Sequence, residues 1–144
     1  MRYPWREIVS GGRKDGGMTV DQSRPAVSMN TVVLDTDDLS GLATFYGELL
    51  GWKITTNEED WITIRGDDAG VALAFQLAPN HRPPTWPSND VPQQIHFDLH
   101  VDDLEEAARF AESLGARRVK DAGPNGTFIV FVDPSGHPFC LCID

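Results

Sequence analysis

Hydrophobic and polar positions along the chain fall into two similar blocks. The first block opens with NTVVLDT, whose β-branched residues predict a strand. The segment DDLSGLATFYGELLGW follows, and its apolar residues recur every three or four positions, which predicts an amphipathic helix. We expect Asp37 or Asp38 to cap the start of this helix and Gly51 to end it in a left-handed conformation. The apolar residues at this helical spacing are Leu39, Leu42, Phe45, Tyr46, Leu49 and Leu50.

Three short runs after the helix, WKITTN, WITIRG and GVALAFQL, predict a meander of strands, so the first block is βαβββ. The second block has the same order: strand QIHFDLHV, helix DDLEEAARFAESLGA, then strands ARRVKD, GTFIVFVD and HPFCLCID. Asp38 and Phe45 are seven residues apart, as are Asp103 and Phe110. This matched spacing indicates a duplicated unit.

The chain of 144 residues fits one domain. Residues 1–24 hold glycines and polar clusters with no hydrophobic period, so we expect a flexible tail there. Residues 25–144 form the predicted domain, with module one at 29–78, a proline-rich linker at 79–93 and module two at 94–144. Met18 and Met29 leave open where translation of the protein starts.

The charge and the cysteine content indicate which partners and which cellular compartment to expect. A net charge of −10 argues against nucleic acid as a partner. No apolar run approaches the roughly 20 residues of a membrane span, and no signal-peptide core follows the N-terminus, so we predict a cytoplasmic protein. Cys140 and Cys142 lie too close along one predicted strand to bond to each other without strain, and we expect reduced thiols.

Three motifs carry a family likeness: DDL with FY and LLGW after the first strand, HFDLHVDDLEEA in the second block, and VDPSGHPFCL near the end. The chain resembles the vicinal oxygen chelate superfamily of glyoxalases, bleomycin resistance proteins and extradiol dioxygenases, and in particular its short glyoxalase-like members. The resemblance implies an α+β fold in which two βαβββ modules form a curved eight-stranded mixed sheet, with helices outside and a cup inside. Members often form homodimers, so we expect a homodimer.

The resemblance also implies where a metal would sit. In metal-using members, side chains on the first strand of each module and on the last strand hold a divalent ion. The matching positions here are Thr31, His96 and Cys140, where two histidines and a carboxylate are usual. A threonine hydroxyl is a poor ligand for such ions, so we expect no metal cofactor. The alternative is Zn, Ni, Mn or Fe held by His96 and Cys140.

Strand alternation places His96, Asp98 and His100 on one face, where we expect them to line the cup as catalytic groups. The alternative is structural: Asp98 hydrogen-bonds His96 within a polar patch. Trp86 lies between prolines and suits an aromatic wall of a pocket. The two cysteines share a face of the predicted strand. An inert, buried role is one interpretation of them. The predicted ligand-binding residues are Thr31, Val33, Asp35, Phe75, Gln76, Trp86 and Cys140.

Two functions are consistent with these patterns. The first is a glyoxalase/bleomycin-resistance-like protein that binds a small, partly apolar or aromatic molecule in the cup without the usual metal triad. The alternative is an enzyme of the same superfamily: a divalent-metal-dependent lyase, isomerase or dioxygenase. The sequence contains no phosphate-binding glycine loop, no nucleophile elbow and no paired CxxC motif that would favour another class.

Overall fold

The computed structural model of the protein describes residues 24–143, so nearly all of the predicted tail lies outside the described residues. Within that range no helix is both long and apolar enough to cross a bilayer. The elements are β1 (Thr31–Thr36), α1 (Leu39–Leu50), β2 (Lys53–Asn57), β3 (Trp61–Arg65), β4 (Ala72–Leu77), β5 (Phe97–His100), α2 (Leu104–Ser113), β6 (Arg117–Lys120), β7 (Phe128–Val132) and β8 (Pro138–Cys142).

The strands form two mixed sheets with the same topology. Their orders are β1-β4-β3-β2 and β5-β8-β7-β6. In each sheet the first and last strands of the module run parallel, and the other neighbours run antiparallel. The α+β class and the repeated βαβββ unit are therefore confirmed. The eight strands are divided between two four-stranded sheets and are not joined in one continuous sheet.

Both helices begin at aspartates that satisfy free backbone N–H groups. Asp38, rather than Asp37, caps α1, because its Oδ1 accepts a hydrogen bond from the Gly41 backbone at 3.1 Å. Asp103 caps α2 in the same way, accepting from the Glu106 backbone at 2.9 Å. α1 ends at Gly51, whose φ of 67° is left-handed, as the sequence predicts.

One hydrophobic core joins the two modules, and α1 lies at its centre. The Tyr46 ring stacks on Phe75 of β4 with centroids 5.9 Å apart. The same ring meets Phe97 of the second sheet edge-on, also at 5.9 Å. Phe45, one residue earlier, packs against Phe139 of β8. Side chains from both sheets therefore bury apolar surface against α1, and α2 also contributes to this core.

A buried hydrogen-bond network also connects the modules. The Tyr46 hydroxyl donates to Asp133 Oδ2 at 2.7 Å. Asp133 Oδ1 accepts from the backbone N–H groups of Ser135 and His137 at 2.9 and 3.0 Å. The Ser135 and Thr36 hydroxyls share a further hydrogen bond of 2.7 Å. Three hydrogen bonds therefore satisfy the carboxylate of Asp133. Without them, burial of this polar group would destabilise the fold.

The linker packs on the loop at residues 133–137. His81 Nε2 lies 3.0 Å from the Ser135 carbonyl oxygen, and the His81 and His137 rings are 4.8 Å apart. Gly136 has a φ of 88°, and a Cβ there would come within 2.6 Å of Pro83. Only glycine fits this position, because a side chain would strain the backbone and collide with the linker. The linker at residues 79–93 contains no helix.

Candidate functional site

Strand β5 turns one side toward the core and the other away from it. Phe97 and Leu99 pack against the core, whereas His96, Asp98 and His100 are exposed. His96 immediately precedes the strand and continues its alternation. We call the side of each sheet that faces away from the helices the open face. In module two the open face includes the predicted His-Asp-His set.

Strand β8 adds two thiols to the same face. Phe139 and Leu141 are buried in the core, so the alternating Cys140 and Cys142 lie on the open face. Both side chains are half-buried. Because β5 and β8 run parallel with Asp98 opposite Cys140, these two side chains are neighbours across the ladder.

Three potential ligand atoms meet at this point. His96 Nε2 lies 3.3 Å from Asp98 Oδ1. Together with Cys140 Sγ, these atoms all lie within 4.8 Å of one another. Among the described residues, this is the group of three His, Cys, Asp or Glu side chains that could hold a metal ion. An imidazole beside a carboxylate can also act as an oriented general base.

The local environment keeps the Cys140 thiol protonated. Burial, then the nearby Asp98 carboxylate and Cys142, raise the pKa of Cys140 to about 11, while Lys120 acts in the opposite direction. Because the thiolate is the reactive form, Cys140 is a poor nucleophile at neutral pH. This agrees with the inert alternative for the cysteines.

Module one supplies the corresponding side of β1. Val32 and Leu34 pack in the core, which places Thr31, Val33 and Asp35 on the open face. Val33 is 37% exposed. The Asp35 backbone carbonyl accepts a hydrogen bond from His137 Nε2. The Thr31 hydroxyl is on a strand of the first sheet, whereas the three clustered ligand atoms are on or beside strands of the second sheet.

The remaining predicted residues of module one and the linker have different surroundings. Gln76 is half-buried and lies opposite Asp35 in the β1–β4 ladder, so it belongs to the open face. Phe75 is fully buried and stacks on Tyr46, so in this structure it is a core residue and offers no surface to a ligand. Trp86 is half-buried in a linker turn. Its place in a pocket wall stays a prediction.

Two further residues on the open face were missed by the sequence interpretation. Phe128 lies opposite Cys142 in the β7–β8 ladder and is 40% exposed. The Lys120 ammonium lies 5.1 Å from the centre of the Phe128 ring. An alternating pattern gives each strand two faces, but only the register against β8 identifies which face Phe128 presents. The sequence alone therefore does not place Phe128 on the open face.

Two surface cavities lie on the helix side of the sheets. One of about 260 Å³ lies between α1 and the β2–β3 hairpin, and one of about 350 Å³ lies at the start of α2. Neither is lined by a predicted site residue. On the open face, the His96 and His100 side chains are 42% and 62% exposed. A ligand would therefore reach this face directly from solvent in the single chain.

Comparison with known proteins agrees with this architecture. Residues 31–142 match the family described as the glyoxalase-like domain. The chain is similar to the glutathione transferase FosA of Serratia marcescens, with 27% identity over 110 residues, which is 76% of each chain.

Solved structures share the fold at low identity. A glyoxalase-related enzyme from Fulvimarina pelagi is 21% identical, with a TM-score of 0.62 over 81% of this chain and 88% of that one. A bleomycin-binding protein in complex with bleomycin is 23% identical, with a TM-score of 0.54 over 83% and 99%. Identities this low show a common fold and leave the ligand of this chain open.

Proposed function

Because this chain belongs to the glyoxalase-like domain family, we propose that it binds a small, partly apolar or aromatic molecule on its open face, without the metal triad usual in metal-dependent relatives. The proposed site combines His96, Asp98 and His100 of module two with the matching face of module one. The ligand contacts proposed there are Thr31, Val33, Asp35, Gln76, Trp86 and Cys140.

The mixed chemistry of the open face carries this proposal. Val33 and Phe128 expose apolar surface that the core does not use. On the open face of module two, strand β5 and the residue before it carry two imidazoles and a carboxylate, namely His96, His100 and Asp98. Small-molecule sites combine mainly apolar walls with a few polar groups that orient the ligand, and this face has both.

A second copy of the chain is the proposed cover for this face. Exposed Val33 and Phe128 would gain stability from burial, and a site open to solvent would become enclosed. We therefore propose a homodimer in which the open faces contribute to shared sites. The cytoplasm is the proposed location, on the sequence alone.

Ligand binding is tested by tryptophan fluorescence with bleomycin, with glutathione and with a panel of planar aromatic compounds. The relatives provide the reason for these two probes, since one is complexed with bleomycin and another is named a glutathione transferase. We expect a saturable change in the parent, and a smaller change in Trp86→Ala if that ring contacts the ligand.

Two substitutions on one sheet provide the matched control. Val33→Glu places a charge on the open face, and we expect it to weaken binding at least tenfold. Leu77 is 36% exposed, nearly the same as Val33 at 37%, but follows Gln76 and so points to the other side of β4. Leu77→Glu should bind as the parent does. Equal loss in both variants, or binding to neither the parent nor the controls, would contradict the proposal.

The three-atom cluster favours a second candidate function, a divalent-metal-dependent lyase, isomerase or dioxygenase. His96, Asp98 and Cys140 already lie within 4.8 Å of one another. In such an enzyme His96, Asp98 and Cys140 would hold the ion, which would supply Lewis-acid chemistry, and His100 would move a proton. Metal analysis of protein purified without a histidine tag separates the candidates: stoichiometric metal that is lost in His96→Ala favours the enzyme.

A further inference from the structure

We propose that residues 1–14 of this chain dock on a groove at the start of α2. This α2 groove is formed by Val101, Asp102, Asp103, Glu106, Ala107 and Phe110. The proposed occupant is a segment of the same chain that lies outside the described residues. The α2 groove is on the helix side of the second sheet, so this interaction is separate from ligand binding on the open face.

Phe110 gives the α2 groove an apolar wall that the core leaves uncovered. Its side chain is 48% exposed. Together with Val101 and Ala107, it borders a cavity of about 350 Å³. A contiguous exposed apolar patch on a soluble protein typically marks a site where another segment packs.

The repeated module indicates which kind of group covers this position. Phe110 is equivalent to Phe45, because each lies seven residues after the aspartate that caps its helix. The Phe45 ring meets Tyr46 edge-on at 4.9 Å and lies 5.9 Å from Phe139. No aromatic ring of residues 24–143 pairs with Phe110. Phe110 therefore lacks, within this range, the aromatic partners that its equivalent in module one has.

The rim of the α2 groove is negative. Its carboxylates belong to Asp102, Asp103 and Glu106. Among the described residues, no lysine or arginine forms an ion pair with these three. In contrast, Glu105 and Glu112 of the same helix both pair with Arg118 of β6. The groove side of α2 therefore attracts a basic segment.

Residues 1–14 carry side chains that complement this groove. The segment MRYPWREIVSGGRK has four basic residues and one acidic residue. Its aromatic and aliphatic residues are Tyr3, Trp5, Ile8 and Val9, and its basic residues are Arg2, Arg6, Arg13 and Lys14. Tryptophan, tyrosine and arginine are the residues that contribute most to protein contacts. In the proposed complex the Trp5 ring packs on Phe110, and the arginines face the acidic rim.

The chain is long enough for this contact. The fifteen residues from Val9 to Arg24 span up to about 50 Å when extended, at about 3.3 to 3.6 Å per residue. A folded unit of about 120 residues has a radius of gyration of only about 14 Å. The segment therefore reaches the α2 groove of its own chain, where its effective concentration exceeds that of a second copy.

The other surface cavity, between α1 and the β2–β3 hairpin, suits this segment less well. It also has two carboxylates, Glu58 and Glu59, but no aromatic ring lines it. Its other apolar residues are buried, so Ile54 provides most of the exposed apolar surface there. Ile54 is 53% exposed, which makes it a matched control position for Phe110.

Amide NMR spectra of the full chain test the docking from the side of the segment. We expect Trp5→Ala to shift the amide signals of residues 101–110, because the ring that packs on the groove is removed. Val20→Ala is the control, since it also truncates an apolar side chain but lies outside residues 1–14. It should leave the α2 signals unchanged.

Groove variants test the same contact from the other side. Phe110→Glu and Glu106→Lys should each move the Trp5 indole N–H signal toward its position in a synthetic peptide of residues 1–14. Ile54→Glu should leave that signal where it is in the parent. A parent signal that already coincides with the peptide signal would overturn the proposal. Trp5→Ala shifts confined to the Ile54 cavity or to the open face would do the same.

Photocross-linking distinguishes docking within one chain from docking between copies. With benzoylphenylalanine at position 5 of the full chain, irradiation should link that position to residues 101–110 of the same chain. The yield should not change on roughly tenfold dilution, because the contact is intramolecular. Links between two chains, with a yield that falls on dilution, would contradict docking of the chain's own segment.

Discussion

Asp133 shows how one residue links the two modules. Its carboxylate accepts the Tyr46 hydroxyl on one oxygen and two backbone N–H groups of the 133–137 loop on the other. The motif VDPSGHPFCL, which contains this loop, is one of the three motifs that carry the family resemblance. Its partner Tyr46 is 87 residues away from Asp133 along the chain. Local patterns do not encode such a pairing, so the network had to come from the structure.

Removing the Tyr46 hydroxyl should destabilise the fold. In Tyr46→Phe, Asp133 Oδ2 loses a buried donor at 2.7 Å, and an unsatisfied buried acceptor costs about 1 to 3 kcal/mol. Urea unfolding followed by circular dichroism measures the loss. In a double variant with Asp133→Asn, the tyrosine substitution should cost less, because the shared interaction is already altered. Fully additive effects would contradict the coupling.

The stability of the fold should carry a pH signature of Asp133. Burial raises the pKa of Asp133, although the Tyr46 hydrogen bond, the charge of His137 and the loop N–H groups act in the opposite direction. The folded protein therefore binds this proton more tightly than the unfolded chain. The resulting stabilisation is complete below the usual aspartate pKa of about 3.9 and is lost as pH rises through the folded pKa.

Asp133→Asn removes this titration while keeping a similar shape. The free energy of unfolding of the variant minus that of the parent should shift in favour of the variant as pH rises from about 4 to 7. Urea unfolding across that range provides the comparison, and other titrating groups cancel in the difference. A difference that stays constant with pH would show that Asp133 does not titrate in this window.

The elements followed the hydrophobic pattern closely. Alternation and three-to-four spacing predicted both helices and all eight strands in the right order, because each element has one core-facing side. The two modules differ in one respect that the repeated pattern does not reveal. Phe45 and Phe110 hold equivalent positions in the two helices, yet Phe45 is 2% exposed and Phe110 is 48% exposed. Only α1 lies at the centre of the shared core, and the sequence does not say which helix does so.

Helix capping offers a matched test at this scale. Asp38 accepts the Gly41 N–H, whereas neighbouring Asp37 is exposed and does not cap α1. Asp38→Ala should lower the free energy of unfolding by about 0.5 to 2 kcal/mol, and Asp37→Ala should leave it nearly unchanged. Thermal and urea unfolding measure both. Equal costs for the two substitutions would show that the cap does not act as the structure implies.

At the scale of the molecule, two sheets share one core and leave their other faces open. The family resemblance implied helices on one side of the strands and an open face on the other, and alternation identified which side chains of β1, β5 and β8 share a face. The sequence did not predict that the strands would divide into two sheets, since the pairing of one edge strand with another leaves no trace in a single-chain pattern. The sequence named His96 and Cys140 as the candidate metal ligands, and the structure places Asp98 in one cluster with them.

The homodimer prediction also belongs to this scale. Phe128→Glu places a charge on the open face and should shift sedimentation from twice the chain mass toward 15.9 kDa. Phe110→Glu is the control, because Phe110 is comparably exposed, at 48% against 40%, but lies on α2. A parent that sediments as a monomer, or a control that dissociates equally, would contradict an open-face interface.

The central claim is that small molecules bind the open face and not the helix side. Amide chemical-shift mapping by NMR, with bleomycin and with a panel of planar aromatic compounds, tests it most directly. We predict saturable shifts at Val33, Asp98 and Cys142, with the α2 amides around Phe110 unchanged. Shifts confined to the helices and their two surface cavities, or no saturable shift on β1, β5 and β8, would contradict the account.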